Sequence, residues 1–239
     1  MMNVFFLNEL QSQMKYWGGG VNETRIVSLQ DDGQCVFKPK EGELLSDRSG
    51  YKRERAAYLV DKFLGIGLVP PTVIREVNGK VGSAQRFIPD TEVPWMALPE
   101  CPEDKRTEVK TELFKLFILD YVTLNADRHA NNALISKDYS RVYAIDNGYC
   151  FAFEGMRFTF EFLDLIQGQT IPEEIKTMVR QILENEPLKS VLKDLLLELL
   201  PEDQAEACMQ RIEYLRMLVL DTTVLDMSTV YQLTYFQKE

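Results

Sequence analysis

The sequence is poor in the residues that bind transition metals or form disulfides. Its 239 residues include one histidine, His129, and four cysteines, and no two cysteines form a CxxC pair. This spacing excludes a zinc ribbon or a CxxC redox site, and it predicts free thiols in a reducing, cytoplasmic setting. The N-terminal stretch lacks the pattern of a secretory signal, although export without a cleavable signal stays open.

Positive charge and long apolar runs are also scarce. Lysine and arginine number 27 against 37 aspartates and glutamates, a formal net charge of −10. This balance argues against general binding of nucleic acid or anionic membranes, both of which need a basic field. No apolar run approaches the roughly 20 residues of a membrane span. A hydrophobic content of 45% predicts a folded core, as one large or two small domains.

The predicted secondary structure changes near the proline-rich stretch VPWMALPECPED. Before it lie a hairpin with an Asp-Gly turn, a helix that stops at Gly65, and a second hairpin with an Asn-Gly turn. After it lie four helical stretches, each with a proline in or near its first turn. We therefore predict an α+β, bilobal fold, with a β-rich N-terminal lobe of one helix at 1–95 and a mostly helical C-terminal lobe at 96–239.

Two polar motifs in the second half carry the chemistry. In DRHANN, Asp127 and Asn132 are separated by the spacing of the base and the metal-binding asparagine in a kinase catalytic loop. Further on, Asp146 follows a β-like run and precedes Asn-Gly, a place that suits a second magnesium ligand. Taken singly, each motif is also typical of a polar loop or turn, and His129 of a structural histidine.

Upstream residues supply the other parts that phosphoryl transfer needs. Lys38 can pair with the phosphates of ATP, with Lys40 as a rival, and Glu54 can hold the lysine from the helix. The stretch WGGGVNETR offers flexible backbone amides for phosphate binding, from Gly18, Gly19, Gly20 and Asn22. The order of these elements along the chain favours one nucleotide site over a set of unrelated features.

Together, DRHANN and IDNG resemble the D-R-H-x-x-N and I-D-x-G pair of the phosphatidylinositol 3-/4-kinase and HipA-like superfamily. This group is an atypical branch of the protein-kinase fold, and the stretch from VFKPKEGE to QRFIPD is similar to its small bacterial members. The resemblance covers residues from about 17 to about 155. Two departures stand out: Asn147 occupies the place of a DFG-like phenylalanine, and residues 22–24 replace a standard glycine loop.

The resemblance implies a role for each matching residue. Lys38 would contact ATP, Glu54 would support Lys38, and Asp127 would orient or deprotonate the acceptor. His129 would lie near the transferred phosphoryl group, and Arg128 would brace the loop. The predicted Mg²⁺ or Mn²⁺ ligands are Asn132 and Asp146. The predicted adenine-binding hinge is QRFIPD, residues 85–90, with contacts from Gln85, Phe87 and Ile88.

The acceptor is predicted from the segment that follows Asp146. That segment has one basic residue, Arg157, against Glu154, Glu161 and Asp164, which argues against a phosphoinositide. We therefore predict a Ser/Thr protein kinase with a protein substrate and a regulatory protein partner. The resemblance to HipA-like kinases, which can modify their Gly-rich loop, implies Thr24 and Ser28 as autophosphorylation sites.

Other readings stay open. They are a lipid or small-molecule kinase, an AMP transferase, and a nucleotide-binding pseudokinase. The same segment contains five phenylalanines, which could form a docking surface for a protein or pack against the helical lobe: Phe151, Phe153, Phe158, Phe160 and Phe162.

Overall fold

An antiparallel sheet forms the N-terminal part of the protein. The computed structural model describes residues 15–16, 24–28, 33–43, 49–151 and 157–235. The strands follow the order β1-β2-β3-β5-β4 across the sheet. Their bounds are β1 Lys15–Tyr16, β2 Arg25–Ser28, β3 Gln34–Pro39, β4 Thr72–Val77 and β5 Lys80–Arg86.

Both predicted hairpins are present in this sheet. Strands β2 and β3 pair antiparallel, as do β4 and β5. The second hairpin turns at Asn78 and Gly79, whose φ values of 52° and 76° are the two positive angles that a type I′ turn requires. Alternate residues of β3, Cys35 and Phe37, point into a small core beneath the sheet that Val27 also joins.

Helix α1 (Gly50–Leu64) comes after β3 in the chain and is capped at both ends. At its start, the Glu43 carboxylate accepts hydrogen bonds from the backbone N–H groups of Gly50 at 2.9 Å and Tyr51 at 2.6 Å. A carboxylate in this place satisfies open N–H groups and complements the helix dipole. At its end, Gly65 adopts a left-handed φ of 68° as the predicted stop.

A second, three-stranded sheet brings distant segments together. Strand β6 (Thr91–Glu92) pairs with β7 (Ala133–Ser136), which in turn pairs with β8 (Val142–Ala144). The catalytic-loop motif precedes β7 and IDNG begins directly after β8, so this small sheet places both motifs side by side. The sequence predicted a β-like run before Asp146 but neither β6 nor β7. The lobe boundary predicted at residue 95 remains a prediction.

Helices make up most of the remaining chain, and the four predicted helical stretches are all present. Apolar residues at helical spacing, with proline confined to the first turn or just before it, account for this agreement. The helices are α2 Pro94–Ala97, α3 Arg106–Thr123, α4 Leu163–Ile166, α5 Glu173–Glu184, α6 Glu186–Leu197, α7 Glu202–Leu215 and α8 Met227–Tyr235, with a π-helical turn at Arg216–Leu220 after α7. Among the described residues, no helix combines the length and apolarity needed to cross a bilayer.

The main core joins α1 to the helices of the second half, and it includes phenylalanines considered above as a docking surface. Phe151, Phe158, Phe160 and Phe162 are all buried in it. Phe158 and Phe160 pack edge-on against Phe117 of α3, with ring centroids 5.9 and 5.4 Å away. These four residues are therefore core residues, whereas Phe153 lies outside the described residues.

Candidate active site

The lysine of strand β3 lies at the centre of the candidate site. Lys38 donates from Nζ to Glu54 Oε1 of α1 at 2.6 Å and to Asp146 Oδ1 at 2.7 Å. The strand ends at Pro39, so its rival Lys40 falls in a 3₁₀ turn and is exposed. The structure thus joins three of the sequence-predicted residues and separates Lys40 from them.

The charges of this cluster stabilise each other. Burial opposes the charge on Lys38, but the carboxylates of Glu54 and Asp146 outweigh this effect and raise the pKa of the ammonium group. Lys38 in turn lowers the pKa of Asp146, against the opposing effect of burial. Both groups therefore stay ionised around neutral pH, as contact with phosphates and a divalent cation requires.

The neighbouring strand lies unusually close behind Lys38. At Gly82 of β5, a side-chain Cβ would lie 2.2 Å from the Lys38 carbonyl oxygen and 2.8 Å from Pro39 Cα. Glycine at this position therefore permits the approach of β5 that sets the backbone position of Lys38.

The catalytic-loop motif is held by side-chain amides. Leu124 caps the end of α3 in a left-handed conformation, and Asn125 Oδ1 accepts the Asp127 N–H at 2.9 Å. Asn132 Nδ2 donates to the Asp127 carbonyl at 2.8 Å and to its Oδ2 at 3.3 Å. Because the amide nitrogen faces Asp127, the amide oxygen of Asn132 is the end that can coordinate a metal.

The predicted base and the only histidine are neighbours. The Asp127 side chain is 43% exposed, and its Oδ2 lies 3.8 Å from His129 Nε2. Burial raises the pKa of Asp127, partly offset by His129, while Asp146 raises it further. His129 Nδ1 accepts the Asn131 N–H at 3.2 Å, so a neutral ring carries its proton on Nε2, facing Asp127.

Arg128 is fully buried under the loop and uses all of its donors. Nε and Nη2 bond to the two oxygens of Asp120 at 2.8 and 3.0 Å, and Nη2 also donates to Asn147 Oδ1 at 2.7 Å. Nη1 donates to the carbonyl of Ile145 at 2.8 Å and to that of Asn132. The bracing expected of Arg128 is therefore directed at both motifs.

Asp120 is a residue that the sequence analysis missed. It is fully buried in the stretch LFKLFILDYV of α3. An acid in the middle of an apolar helical run must find a partner, because an unpaired buried carboxylate is very costly. A single acid within an apolar helical run was therefore the sequence feature that could have indicated a buried ion pair.

The conformation of IDNG differs from a simple turn. Asp146 adopts a left-handed φ of 54°, a region in which non-glycine residues are uncommon. Asn147 is fully buried, and besides its bond from Arg128 it donates to the Ala144 carbonyl at 3.2 Å. Asparagine at this place therefore makes polar contacts that a phenylalanine would not make.

The predicted hinge links the two sheets. Gln85 is buried and its amide donates to Thr72 Oγ1 at 2.9 Å, whereas the Phe87 N–H donates to the Gln34 carbonyl at 2.9 Å. Ile88 follows outside the strand, and its carbonyl accepts from Thr91 Oγ1 at 3.3 Å. The Gln85 amide and the Phe87 N–H are thus engaged inside the protein, and contact of these residues with adenine stays a prediction.

The predicted phosphate loop lies outside the described residues. This holds for Gly18, Gly19, Gly20 and Asn22. Thr24 immediately precedes β2 and Ser28 ends it, and autophosphorylation at either residue stays a prediction.

Two further side chains border the catalytic loop without any signal in the sequence. Trp95 of α2 is 61% exposed, and its indole Nε1 donates to Asn131 Oδ1 at 3.2 Å. On the other side, Glu161 Oε2 accepts the Ala130 N–H at 2.7 Å. An aromatic ring and a carboxylate therefore flank the loop that carries Asp127.

Comparison with known proteins identifies the family. The family model described as phosphatidylinositol 3- and 4-kinase matches residues 48–210. The chain belongs to this family. The family assignment made from DRHANN and IDNG is thereby confirmed, and the predicted enzyme class, an ATP-dependent phosphotransferase, is that of this kinase family. A closer relation to HipA-like or bacterial members stays a prediction.

Relatives of this phosphatidylinositol 3- and 4-kinase family member are larger proteins. It is 31% identical over 161 residues to phosphatidylinositol 4-kinase gamma 4 of Oryza sativa subsp. japonica. This alignment covers 59% of this chain and 26% of the relative. It is 28% identical over 192 residues to phosphatidylinositol 4-kinase type 2-beta of Gallus gallus. This alignment covers 52% of this chain and 40% of the relative. The chain thus matches well under half the length of these two relatives.

Solved structures confirm the kinase-like fold. The Golgi casein kinase superposes with a TM-score of 0.54 at 14% identity, covering 97% of this chain and 74% of the other. Its structure with Mn/ADP bound gives a TM-score of 0.52 at 16% identity, and the superposition covers 96% of this chain and 75% of the other. At this identity the similarity concerns the fold.

The site residues of this family member also fit a magnesium–nucleotide complex. Asp146 and Asn132 offer carboxylate and amide oxygens, the hard ligands that Mg²⁺ prefers. The described residues contain no cluster of three or more His, Cys, Asp or Glu that could hold a metal by itself. Such a pair suits Mg²⁺ that receives its other ligands from phosphates and water.

Proposed function

We propose that this chain is an ATP- and Mg²⁺- or Mn²⁺-dependent kinase that transfers the γ-phosphoryl group to a serine or threonine of a protein, in a cytoplasmic setting. The observation that carries the proposal is the bond of Lys38 to both Glu54 and Asp146, at 2.6 and 2.7 Å. The adjoining Asp127–Asn132 pair adds a proton acceptor and an amide ligand, two further groups that phosphoryl transfer requires.

Asp127 has the position and the chemistry of the base. Its carboxylate accepts the proton of the acceptor hydroxyl as the oxygen attacks, and the raised pKa makes it a better proton acceptor than an ordinary aspartate. Asn132 holds the carboxylate through Oδ2 at 3.3 Å. His129, with its proton on Nε2, faces the same oxygen and can stabilise negative charge that develops there.

Lys38, Asn132 and Asp146 serve the phosphate side of the site. Lys38 binds phosphate oxygens as a point charge, and Glu54 keeps it in place from α1. Asp146 and Asn132 would hold the cation. Bound ATP and metal supply the phosphoryl group and the neutralisation of its charge.

The acceptor side favours a protein over an anionic headgroup. Glu161 places a carboxylate at the Ala130 N–H, two residues from the loop arginine. In the described part of the segment after Asp146, up to residue 164, Arg157 is the only basic residue, against Glu161 and Asp164. Such a surface repels phosphate and accommodates a neutral or basic peptide. A regulatory protein partner remains part of this proposal.

Phosphatidylinositol is the second candidate acceptor. The curated relatives carry the name phosphatidylinositol 4-kinase. Trp95 and Met96 of α2, 61% and 49% exposed, form an apolar edge beside the catalytic loop, and Trp95 bonds to it directly. Exposed tryptophan is well suited to a lipid–water interface.

Transfer of label from γ-³²P-ATP with Mg²⁺ would test the proposal. One reaction contains an array of serine and threonine peptides, and a parallel reaction contains phosphatidylinositol vesicles. Asp127→Asn should abolish transfer, and Asp194→Asn, an exposed aspartate of α6, serves as the matched control. Label on peptides supports a protein kinase, whereas label confined to lipid replaces it with the second candidate.

Two further results would overturn the proposal. Label from α-³²P-ATP on the acceptor would indicate AMP transfer. Nucleotide-dependent thermal stabilisation without transfer to any acceptor, equal in wild type and Asp127→Asn, would indicate a pseudokinase.

A further inference from the structure

Arg128 connects the two segments that carry the metal-binding residues. One Nη1 group donates to the carbonyls of Asn132 and Ile145, and Nη2 donates to the Asn147 side chain. Asn132 is one proposed ligand, and Ile145 and Asn147 are the neighbours of the other, Asp146. A single planar guanidinium therefore bridges the two segments, which the Ile145 N–H also joins by donating to the Asn132 carbonyl at 3.2 Å.

Asp120 determines the orientation of that guanidinium. Its two oxygens bond to Nε and Nη2 at 2.8 and 3.0 Å, and both side chains are fully buried. Asn125 Nδ2 donates to Asp120 Oδ1 at 3.0 Å, which ties the carboxylate to the residue that also holds the Asp127 N–H. Because helix α3 carries Asp120, the network has a rigid base in the main core.

The donor count makes the arrangement specific for arginine. All five N–H groups of Arg128 are used, two on Asp120 and three on the metal-binding segments. Lysine has three donors and no planar fork, so it would leave buried acceptors without partners. The network also holds Ile145 and Asn147 on either side of Asp146, whose left-handed φ of 54° persists only when its neighbours hold it.

We propose that Asp120 and Arg128 are positioning residues that set the spacing of Asn132 and Asp146, and thereby the affinity of the nucleotide complex for its divalent metal. This inference rests on the proposed function, because it requires both residues to be ligands. Groups that orient metal ligands from behind typically change metal affinity by about 10- to 100-fold when they are altered.

The first measurement is Mn²⁺ binding to the protein in the presence of ADP. Binding is detected as a loss of the six-line EPR signal of free Mn²⁺. Arg128→Lys and Asp120→Asn should each weaken Mn²⁺ binding by about 10- to 100-fold. The double variant should lose little more than either single variant, since both act through one network. Binding of ADP in EDTA, which depends on Lys38 and not on metal, should change less than twofold.

Arg211→Lys is the matched control. Arg211 is another buried arginine, and its Nε donates at 2.8 Å to the carbonyl of Val122, a residue of α3 that belongs to neither metal-binding segment. This variant should lose thermal stability without any change in Mn²⁺ affinity. If the Asp120 or Arg128 variants fail to fold, Asn147→Leu removes one acceptor of Arg128 at similar volume and should weaken Mn²⁺ binding in the same direction.

The outcomes separate the two proposals. No Mn²⁺–ADP binding by the wild type would refute the proposed function itself. Wild-type binding with unchanged Mn²⁺ affinity in folded Arg128→Lys, or with an equal loss in Arg211→Lys, would refute the positioning role alone.

Discussion

Replacing Gly82 with alanine would test whether the spacing of β3 and β5 positions Lys38. The new Cβ would lie 2.2 Å from the Lys38 carbonyl oxygen, whereas ordinary contact of a Cβ begins at 3.4 Å. The atoms in contact belong to the backbone, so the strand must move because no side chain can rotate away. The shift occurs at the residue whose Nζ bonds to Glu54 and Asp146.

The expected loss follows from that displacement. Overpacking of this kind costs about 1–3 kcal/mol of stability. A misplacement of about 1 Å at reacting groups can cost about 100-fold in rate. We therefore expect Gly82→Ala to lower Tm by several degrees, about 2–4 °C per kcal/mol in a domain of this size, and to reduce kcat/KM for ATP at least about tenfold.

Gly79→Ala provides the control for this experiment. Gly79 has a φ of 76° in the β4–β5 turn, and an added Cβ there meets nothing within 4 Å. Its cost of about 1 kcal/mol arises from backbone strain alone and leaves β3 in place. Initial rates at varied ATP and thermal unfolding would compare both variants. Wild-type kinetics in Gly82→Ala, or equal kinetic loss in Gly79→Ala, would contradict the reasoning.

Three further predictions concern charges. Lys38→Met should abolish transfer and destabilise the fold by about 3–5 kcal/mol, since it strands the buried Glu54; wild-type urea unfolding would contradict this. Because burial raises the pKa of Asp127, the base should lose activity on acidification at a pH above the usual value of about 3.9; an acid limb of kcat/KM below that value would count against this role. Glu43→Ala should lower stability by about 1 kcal/mol through loss of the α1 cap, with a reduced urea midpoint as the readout.

The fold was predictable where local chemistry determines it. A few adjacent residues determine the Asn-Gly turn of the second hairpin and the glycine stop of α1, and the structure contains both. The three-stranded sheet was not predictable in full. Strand β6 has two residues and pairs with β7 more than forty positions later, so neither periodicity nor turn chemistry indicates the pairing.

In the candidate site, too, local patterns predicted some residues, and others became apparent only from contacts between distant segments. Spacing within a motif identified Asp127 with Asn132, and the strand–helix order singled out Lys38 and Glu54. The choice between Lys38 and Lys40 needed the strand end at Pro39. Asp120 became visible only through its contact with Arg128, because a helix sequence does not show which buried group an acid will meet.

The bond between Lys38 and Asp146 spans 108 positions of the chain. Contacts of such separation form after local hairpins and helices, because they must first close a long loop. During synthesis, Lys38 and Glu54 emerge well before the segment that supplies Asp146. The cluster of Lys38, Glu54 and Asp146 is therefore among the last features to assemble, and a chain that stops short of β8 can form the hairpin and α1 without completing this cluster.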